Sequence, residues 1–576
     1  MINAGTVLPD SAVHADVPAL QTQVHRDFAP TWGLGADFTF CMRREETMLP
    51  RRTIPLGVFA TSTMVILGLW AAVTQAQLTD QTQTPNAAHR GIALSLSQEI
   101  GAGQGDAFTP NSSIYLINRD PAQAIRRARQ LFQRKFTVQE GFGPRKDDGR
   151  GDIAADPALG AGLVDSCAGC HGRPRGSAGS GGNVVTRPDS RDAPHLFGLG
   201  LKEMLADEIT HDLRAIRAQA IAQAQQQGQA VPLPLHSKGI QYGQITALPD
   251  GTVDTSQVAG VNPDLRVRPF FAHGGTISIR EFAVGAFKNE MGLEAFDPCP
   301  LTASQGGICV TPAGMVLDGA QDQTEAPPVS SATQDGDGDG VVNEIDPALI
   351  DFMEFYLLNY FKPGLGEQTV RTAQGFRLME QIGCTTCHIR DLVIDHDRRV
   401  ADVQTRFDPQ RGIFNRLFAE ATTQLVVVQD GQPLPKLLPA GGVFVVQNIF
   451  TDLKRHDLGP NFHELNYDGS YRQEFLTTPL WGVGSTAPYG HDGRSITLTE
   501  VILRHGGEAQ QVRDQFAAVS ATRQRWILEA LESLVLFPPD DTASNLDPGN
   551  PADPNFPQSG HGSIKLGGLF TTPAPE

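Results

Sequence analysis

The chain has 576 residues, room for two or three domains, and sets 46 Lys and Arg against 64 Asp and Glu for a formal net charge of −18. That acidic balance excludes nucleic acid as a partner; it serves solubility and would steer a basic protein partner. Sixty Gly and forty Pro imply many loops between regular elements.

Residues 1–76 read as a leader. Arg51 and Arg52 precede an uncharged stretch from Ile54 to Thr79, with an apolar centre at Met64 to Val73 and small residues around Thr74-Gln75-Ala76. This is the plan of a signal peptide cleaved near Ala76. Met48 lies just before the arginines, so 48–76 is the expected signal peptide and 1–47 a mis-called start. Pro55, Gly57 and the polar Thr and Gln residues argue against a permanent anchor, so any membrane contact would run through an uncleaved leader. The expected location is periplasmic or secreted.

Asp120-Pro121 offers a cap and a first-turn proline, and the run to Phe136 puts Ile125, Ala128, Leu131 and Phe132 on one helical face. The pentad Cys167-Ala-Gly-Cys170-His171 follows it. A second pentad, Cys384-Thr-Thr-Cys387-His388, follows the apolar Phe376, Leu378 and Met379. Cys-x-x-Cys-His is the attachment motif of c-type haem: two thioethers to the porphyrin vinyls, with the adjacent histidine carried under the ring as proximal iron ligand. Zinc would need a second ligand pair near each pentad, and neither neighbourhood has one. The expected cofactors are therefore two covalent haems, held by Cys167, Cys170, His171, Cys384, Cys387 and His388. Cys41 lies in the leader. Cys299 and Cys309 flank a short Pro/Gly loop that a disulfide would close in an oxidising compartment, two buried free thiols being the alternative.

Between the pentads, Asp335-Gly-Asp337-Gly-Asp339-Gly340-Val341-Val-Asn343-Glu344-Ile-Asp346 matches a twelve-residue calcium loop at positions 1, 3, 5, 9 and 12, with Gly at 6 and the Val341 carbonyl at 7. Asp346 replaces the usual bidentate Glu, so either Glu344 would contribute in its place or the affinity would be modest; a solvated acidic linker is the alternative. Helices are expected from Pro347 to Phe361, with Ile350, Met353, Tyr356 and Leu357 on one face, and from Ala521 to Phe537, with Trp526, Ile527, Ala530, Leu531 and Leu534. Pro, Gly, Ser and Asp crowd residues 538–562, so 541–576 reads as a mostly disordered tail with an apolar patch at Leu566 to Phe570. The expected fold is mainly α: two tandem cytochrome c-like haem domains, 77–330 and 347–540, with long loops and few short strands, joined by the calcium-binding loop 331–346.

Five further stretches belong together: Lys135-Phe-Thr-Val-Gln-Glu-Gly-Phe-Gly-Pro144, Ala193-Pro-His-Leu-Phe-Gly-Leu-Gly-Leu201, Gly285-Ala-Phe-Lys-Asn-Glu290-Met-Gly292, Thr451-Asp-Leu-Lys-Arg-His456-Asp-Leu-Gly459 and Thr478-Pro-Leu-Trp-Gly-Val-Gly-Ser-Thr-Ala-Pro-Tyr-Gly-His491-Asp-Gly493. With the pentads they resemble, over about residues 128 to 537, the bacterial dihaem cytochrome c peroxidase superfamily, and most closely its dihaem oxidoreductase branch. In those relatives a ligand to the C-terminal haem falls fourteen positions after the histidine of the His-Asp-Gly element, which is His505 here. The resemblance thus implies His388/His505 ligation and a low-spin iron of depressed potential, suited to passing electrons; an ordinary helix-end histidine is the alternative. Glu290 matches the glutamate that shuttles a proton between peroxide oxygens, against the plain alternative of a surface glutamate beside Lys288. His273 matches no single role: a second distal group, a closed-state ligand, or a loop histidine.

Where relatives often carry tryptophan near the first haem, this chain has Phe270-Phe271, which leaves Trp481 as the candidate electron bridge. Phe270, Phe271, Phe282, Phe287 and Phe296 form either an apolar distal wall or ordinary core. Three functions compete. A peroxidase would reduce hydrogen peroxide at the His171 haem, with electrons from a small redox donor such as a cytochrome or a quinol-linked carrier. An oxygenase resembling the dihaem rubber oxygenases would bind dioxygen beside an apolar alkene, and a non-enzymatic electron carrier would keep both irons six-coordinate. The Glu290 and His505 matches favour the peroxidase.

Overall fold

A computed structural model describes residues 95–136, 166–171, 192–335, 340–359, 363–397, 399, 425–439, 442–466 and 469–536. The leader, the tail, Asp337, Asp339, Phe537 and most of the 135–144 stretch lie outside the described residues. The helices begin where the sequence supplies caps. In α1 (Pro121–Gln133), proline occupies the first turn and the Asp120 carboxylate accepts from Gln123 N at 3.1 Å. Its inward face is the expected one, Ile125, Ala128, Leu131 and Phe132, all buried.

The first pentad forms α2 (Cys167–His171), and after it comes the long α3 (Leu199–Gln227). Next are α4 (Ile279–Met291) and α5 (Pro347–Leu358), the latter capped by Asp346, whose Oδ1 accepts from Ala348 N at 2.8 Å. Phe132 of α1 meets Tyr356 of α5 with ring centroids 5.7 Å apart. Then α6 (Val370–Ile382) leads into the second pentad, and α7 (Leu498–Arg504) and α8 (Ala521–Glu532) follow. α6 and α8 pass so closely that a Cβ at Gly375 would stand 2.0 Å from the Trp526 carbonyl oxygen. Only glycine permits that approach.

The expectation of a mainly α, cytochrome c-like fold is not met: the described residues are mixed, 40% helical and 16% strand, with several small sheets. The largest is antiparallel, with strands β1 (Val231–Ser237), β2 (Ile240–Ala247) and β3 (Val253–Val258) in that order. Pro232 and Pro234 make β1 read as loop. They are tolerated because β1 is an edge strand, both side chains face solvent, and the register shifts between Pro234 and His236. The other sheets are two-stranded pairs in the connections between helices.

All described residues belong to one compact unit. One core cluster runs from Tyr115 to Leu536 and takes in α1, α3, α4, α5 and Trp481; a second gathers α6, α8 and the start of α7 around Phe450 and Phe516. Carboxylates on α3 bind the segment that follows the second pentad. Glu208 accepts from three successive backbone amides, Asp395, His396 and Asp397, at 2.6 to 3.0 Å, and from Lys238 Nζ at 2.6 Å. Arg399 reaches back to Glu203 at 3.3 Å and to Asp207. Among the described residues no helix is long and apolar enough to cross a membrane.

Candidate functional site

Three histidines share one hydrogen-bonding arrangement. His171 Nδ1 meets the Pro194 carbonyl at 2.9 Å, His388 Nδ1 the Phe450 carbonyl at 3.1 Å, and His505 Nδ1 the Val501 carbonyl at 2.8 Å. A carbonyl only accepts, so each Nδ1 carries the proton and each Nε2 keeps its lone pair. This is the tautomer a metal-ligating imidazole needs, fixed by the partner of its other nitrogen. Desolvation lowers the pKa of His171 and of His388 to about 4 and lowers that of His505, so all three rings are neutral at ordinary pH. His505 is also close enough to His388 that a proton on its ring would depress the pKa of His388.

The disulfide expected between Cys299 and Cys309 is present, whereas Cys167, Cys170, Cys384 and Cys387 are free thiols beside their histidines. The donor set therefore fits haem at both pentads: two available thiols and one neutral imidazole each, with a second neutral imidazole, His505, close enough to His388 to interact with it electrostatically.

Two other histidines near the second pentad are committed elsewhere. His456 turns Nε2 to Asp452 at 2.9 Å and Nδ1 to Glu508 at 2.8 Å, so neither nitrogen is open to a metal. His491 points Nε2 at Glu464, 3.4 Å away, and stacks on Phe475 with centroids 4.0 Å apart. Cys387, Asp452 and His456 have potential ligand atoms within 4.8 Å of one another. The two carboxylates on His456 argue against a metal there, because a ring that donates from both nitrogens has no lone pair to give.

Sequence reasoning missed a repeated element that explains the two sites. The turn from Phe270 to Thr276 and that from Tyr489 to Ser495 share one closing bond, Phe270 N donating to Thr276 O (3.5 Å) and Tyr489 N to Ser495 O (2.7 Å). Gly274 and Gly493 occupy the same position, with φ of +69° and +62°. Each turn then enters a helix through the same cap. Ser278 and Thr497 accept from Glu281 N (3.1 Å) and Glu500 N (3.0 Å), and the two glutamates accept in return from Ile277 N (3.0 Å) and Ile496 N (2.9 Å). Continued along the helices, this register sets Ala286 of α4 where the second half has His505. The paired Ser/Thr-x-x-Glu signatures were the available signal.

Glu290 lies on the last turn of α4, one helical turn beyond Ala286, and its charge helps burial to raise the Cys170 thiol. The structure thus brings Glu290 to the first pentad. Trp481 is buried between the halves. Its carbonyl takes His195 Nε2 at 3.1 Å, and its ring lies against Gly198, where a Cβ would stand 2.5 Å away. Charge from His171 also reaches His195. Phe270 and Phe287 are buried core residues, while Phe271 is partly exposed, stacks on His273 at 5.5 Å and packs on Phe282 at 4.8 Å. His273 Nδ1 lies 3.3 Å from Arg472 Nη1.

In the acidic loop, Asp335 Oδ2 accepts from Gly340 N at 3.0 Å, and Gly340 has φ +88°. Asn343 Oδ1 accepts from Phe296 N, and Glu344 Oε2 from Glu294 N, both at 2.8 Å. Each of these oxygens keeps further lone pairs, so the described part of the loop fits a cation without requiring one.

Residues 428–534 match the family model described as "Di-haem oxidoreductase, putative peroxidase", which supports assignment of the chain to the dihaem oxidoreductase family. The matched segment contains His456, Trp481, His491 and His505 and neither pentad. The family implies haem binding and a peroxidase-like oxidoreductase activity. No curated protein and no solved structure matches the chain.

Proposed function

We propose that this protein is an exported dihaem c-type oxidoreductase that reduces hydrogen peroxide at the haem of Cys167, Cys170 and His171, with electrons relayed through the haem of Cys384, Cys387, His388 and His505. The observation that carries this reading is the repeated turn and helix. Where the second half has His505, close to His388, the register of the first half has Ala286, which cannot ligate, and then Glu290 one turn on. One site is built to be closed by two histidines, the other to admit a small oxidant beside a carboxylate.

When bound, the haems would supply the redox chemistry, delivering the two electrons that reduction of one peroxide to two waters consumes. The chain's own residues do the rest. His171 and His388 hold their rings by Nδ1 bonds to carbonyls, which keeps Nε2 directed and basic. Glu290 takes the proton from one peroxide oxygen and returns it to the other, so that the departing oxygen leaves as water rather than hydroxide. Trp481, packed against the segment that follows the first pentad, is the aromatic group best placed to lie between the sites. A small soluble redox protein is the expected donor, and the acidic surface favours a basic one. Calcium in the 335–346 loop would hold the start of α5, since Asp346 both closes the loop and caps that helix.

The test is peroxide-driven oxidation of a reduced cytochrome. Glu290→Gln keeps the shape and removes the proton acceptor, so turnover should fall on the order of a hundredfold or more. Undiminished turnover would remove Glu290 from the chemistry.

A further inference from the structure

We propose that His456 is a positioning residue that clamps the His505 turn to the second pentad's site. The inference rests on the reading of His505 as an iron ligand. His456, in the short strand Arg455–Asp457, is only 7% exposed, with a carboxylate at each ring nitrogen. Asp452 Oδ2 is 2.9 Å from Nε2 and Glu508 Oε2 is 2.8 Å from Nδ1. A neutral imidazole has one N–H and could serve one of them; serving both takes both N–H groups, which is the imidazolium. Burial opposes that charge, and the hydrogen bonds to Asp452 and Glu508 favour it.

The two carboxylates stand on the two arms of the site. Asp452 is two residues from Phe450, whose carbonyl takes the proximal His388 Nδ1. Glu508 is three residues from His505, and its other oxygen accepts from Asp457 N at 3.0 Å. Gly506 N adds a bond to Leu458 O at 2.9 Å, and a Cβ at Gly507 would stand 2.2 Å from the Asp457 carbonyl oxygen. By contrast, the hydrogen bond of the His505 ring goes to Val501 on its own helix, which orients the ring without locating that helix. The clamp through His456 and Glu508 therefore sets how far the His505 turn stands from His388. Charge-assisted bonds on both sides of one ring make the tie about twice as strong as neutral bonds would.

The experiment uses the haem-loaded protein and follows ferric spin state and the rate of cyanide binding at the second haem, because cyanide enters a six-coordinate iron only after the protein ligand leaves. Glu508→Ala and His456→Gln should each raise the high-spin fraction of that haem and accelerate cyanide binding by about 10- to 100-fold, the scale on which loss of an outer-shell partner weakens a ligand. Glu508→Gln, which keeps an acceptor oxygen without the charge, should fall between wild type and Glu508→Ala. The Glu508 side chain is 56% exposed, so its variants report even where His456→Gln fails to fold. Wild-type spectra and cyanide rates in both Glu508 variants, with His505→Ala turning the second haem high-spin, would overturn the clamp and leave the ligand reading standing. An unchanged second haem in His505→Ala would overturn the ligand reading and the clamp together.

Discussion

Replacing Glu208 by glutamine tests the contact that binds α3 to the segment after the second pentad. The carboxylate is 3% exposed and accepts from the amides of Asp395, His396 and Asp397 and from Lys238. Burial works against its charge, but the Asp395 amide, Lys238 and the next two amides outweigh burial and hold the group at about 2, against an ordinary value of 4.5. A depressed pKa contributes stability that is complete above the unfolded value and lost as pH falls through the folded one. The linkage amounts to about 3 kcal/mol at pH 7, declining to about 1.4 kcal/mol at pH 3 and vanishing below about pH 2. Urea unfolding of wild type and Glu208→Gln should therefore differ by about 3 kcal/mol at neutral pH and by less than half of that at pH 3. A difference independent of pH between 3 and 7 would show that shape, and not the ionised carboxylate, holds the segment.

Three further outcomes are expected. Gly375→Ala forces a methyl against the Trp526 carbonyl, so it should destabilise the fold by about 1 to 3 kcal/mol in thermal or urea unfolding, as overpacking does. Replacing Cys167 and Cys170 together by alanine should leave a denatured chain one haem lighter by intact mass, and retention of both haems would contradict attachment there. Calcium chelation should lower the melting temperature of wild type and leave an Asp335→Ala variant less affected, since Asp335 both fits the cation loop and fixes the turn at Gly340.

Much of the local structure was legible because single residues mark it. Asp120-Pro121 and Asp346-Pro347 predict helix starts, and both carboxylates do cap those helices. The pentads and the disulfide were likewise local patterns. The sheet was not legible, since Pro232 and Pro234 deny β1 a strand signature and only its place at an edge makes them harmless. Nor was the interior of α3. Glu203 and Glu208 look like surface residues, yet both are buried, because their partners arrive from Arg399 and the 395–397 amides far along the chain. At the site, His505 was legible through resemblance alone. The role of His456 was not legible, because only the positions of Asp452 and Glu508 show both its nitrogens already taken.

The central claim, one closed haem and one open haem, is tested most directly by the spin states of the ferric haem-loaded protein in wild type and His505→Ala. The account predicts one high-spin and one low-spin haem in wild type, with the low-spin signal converted to high spin by His505→Ala while the first haem is unchanged. Two low-spin haems in wild type, unaltered by that substitution, would contradict it.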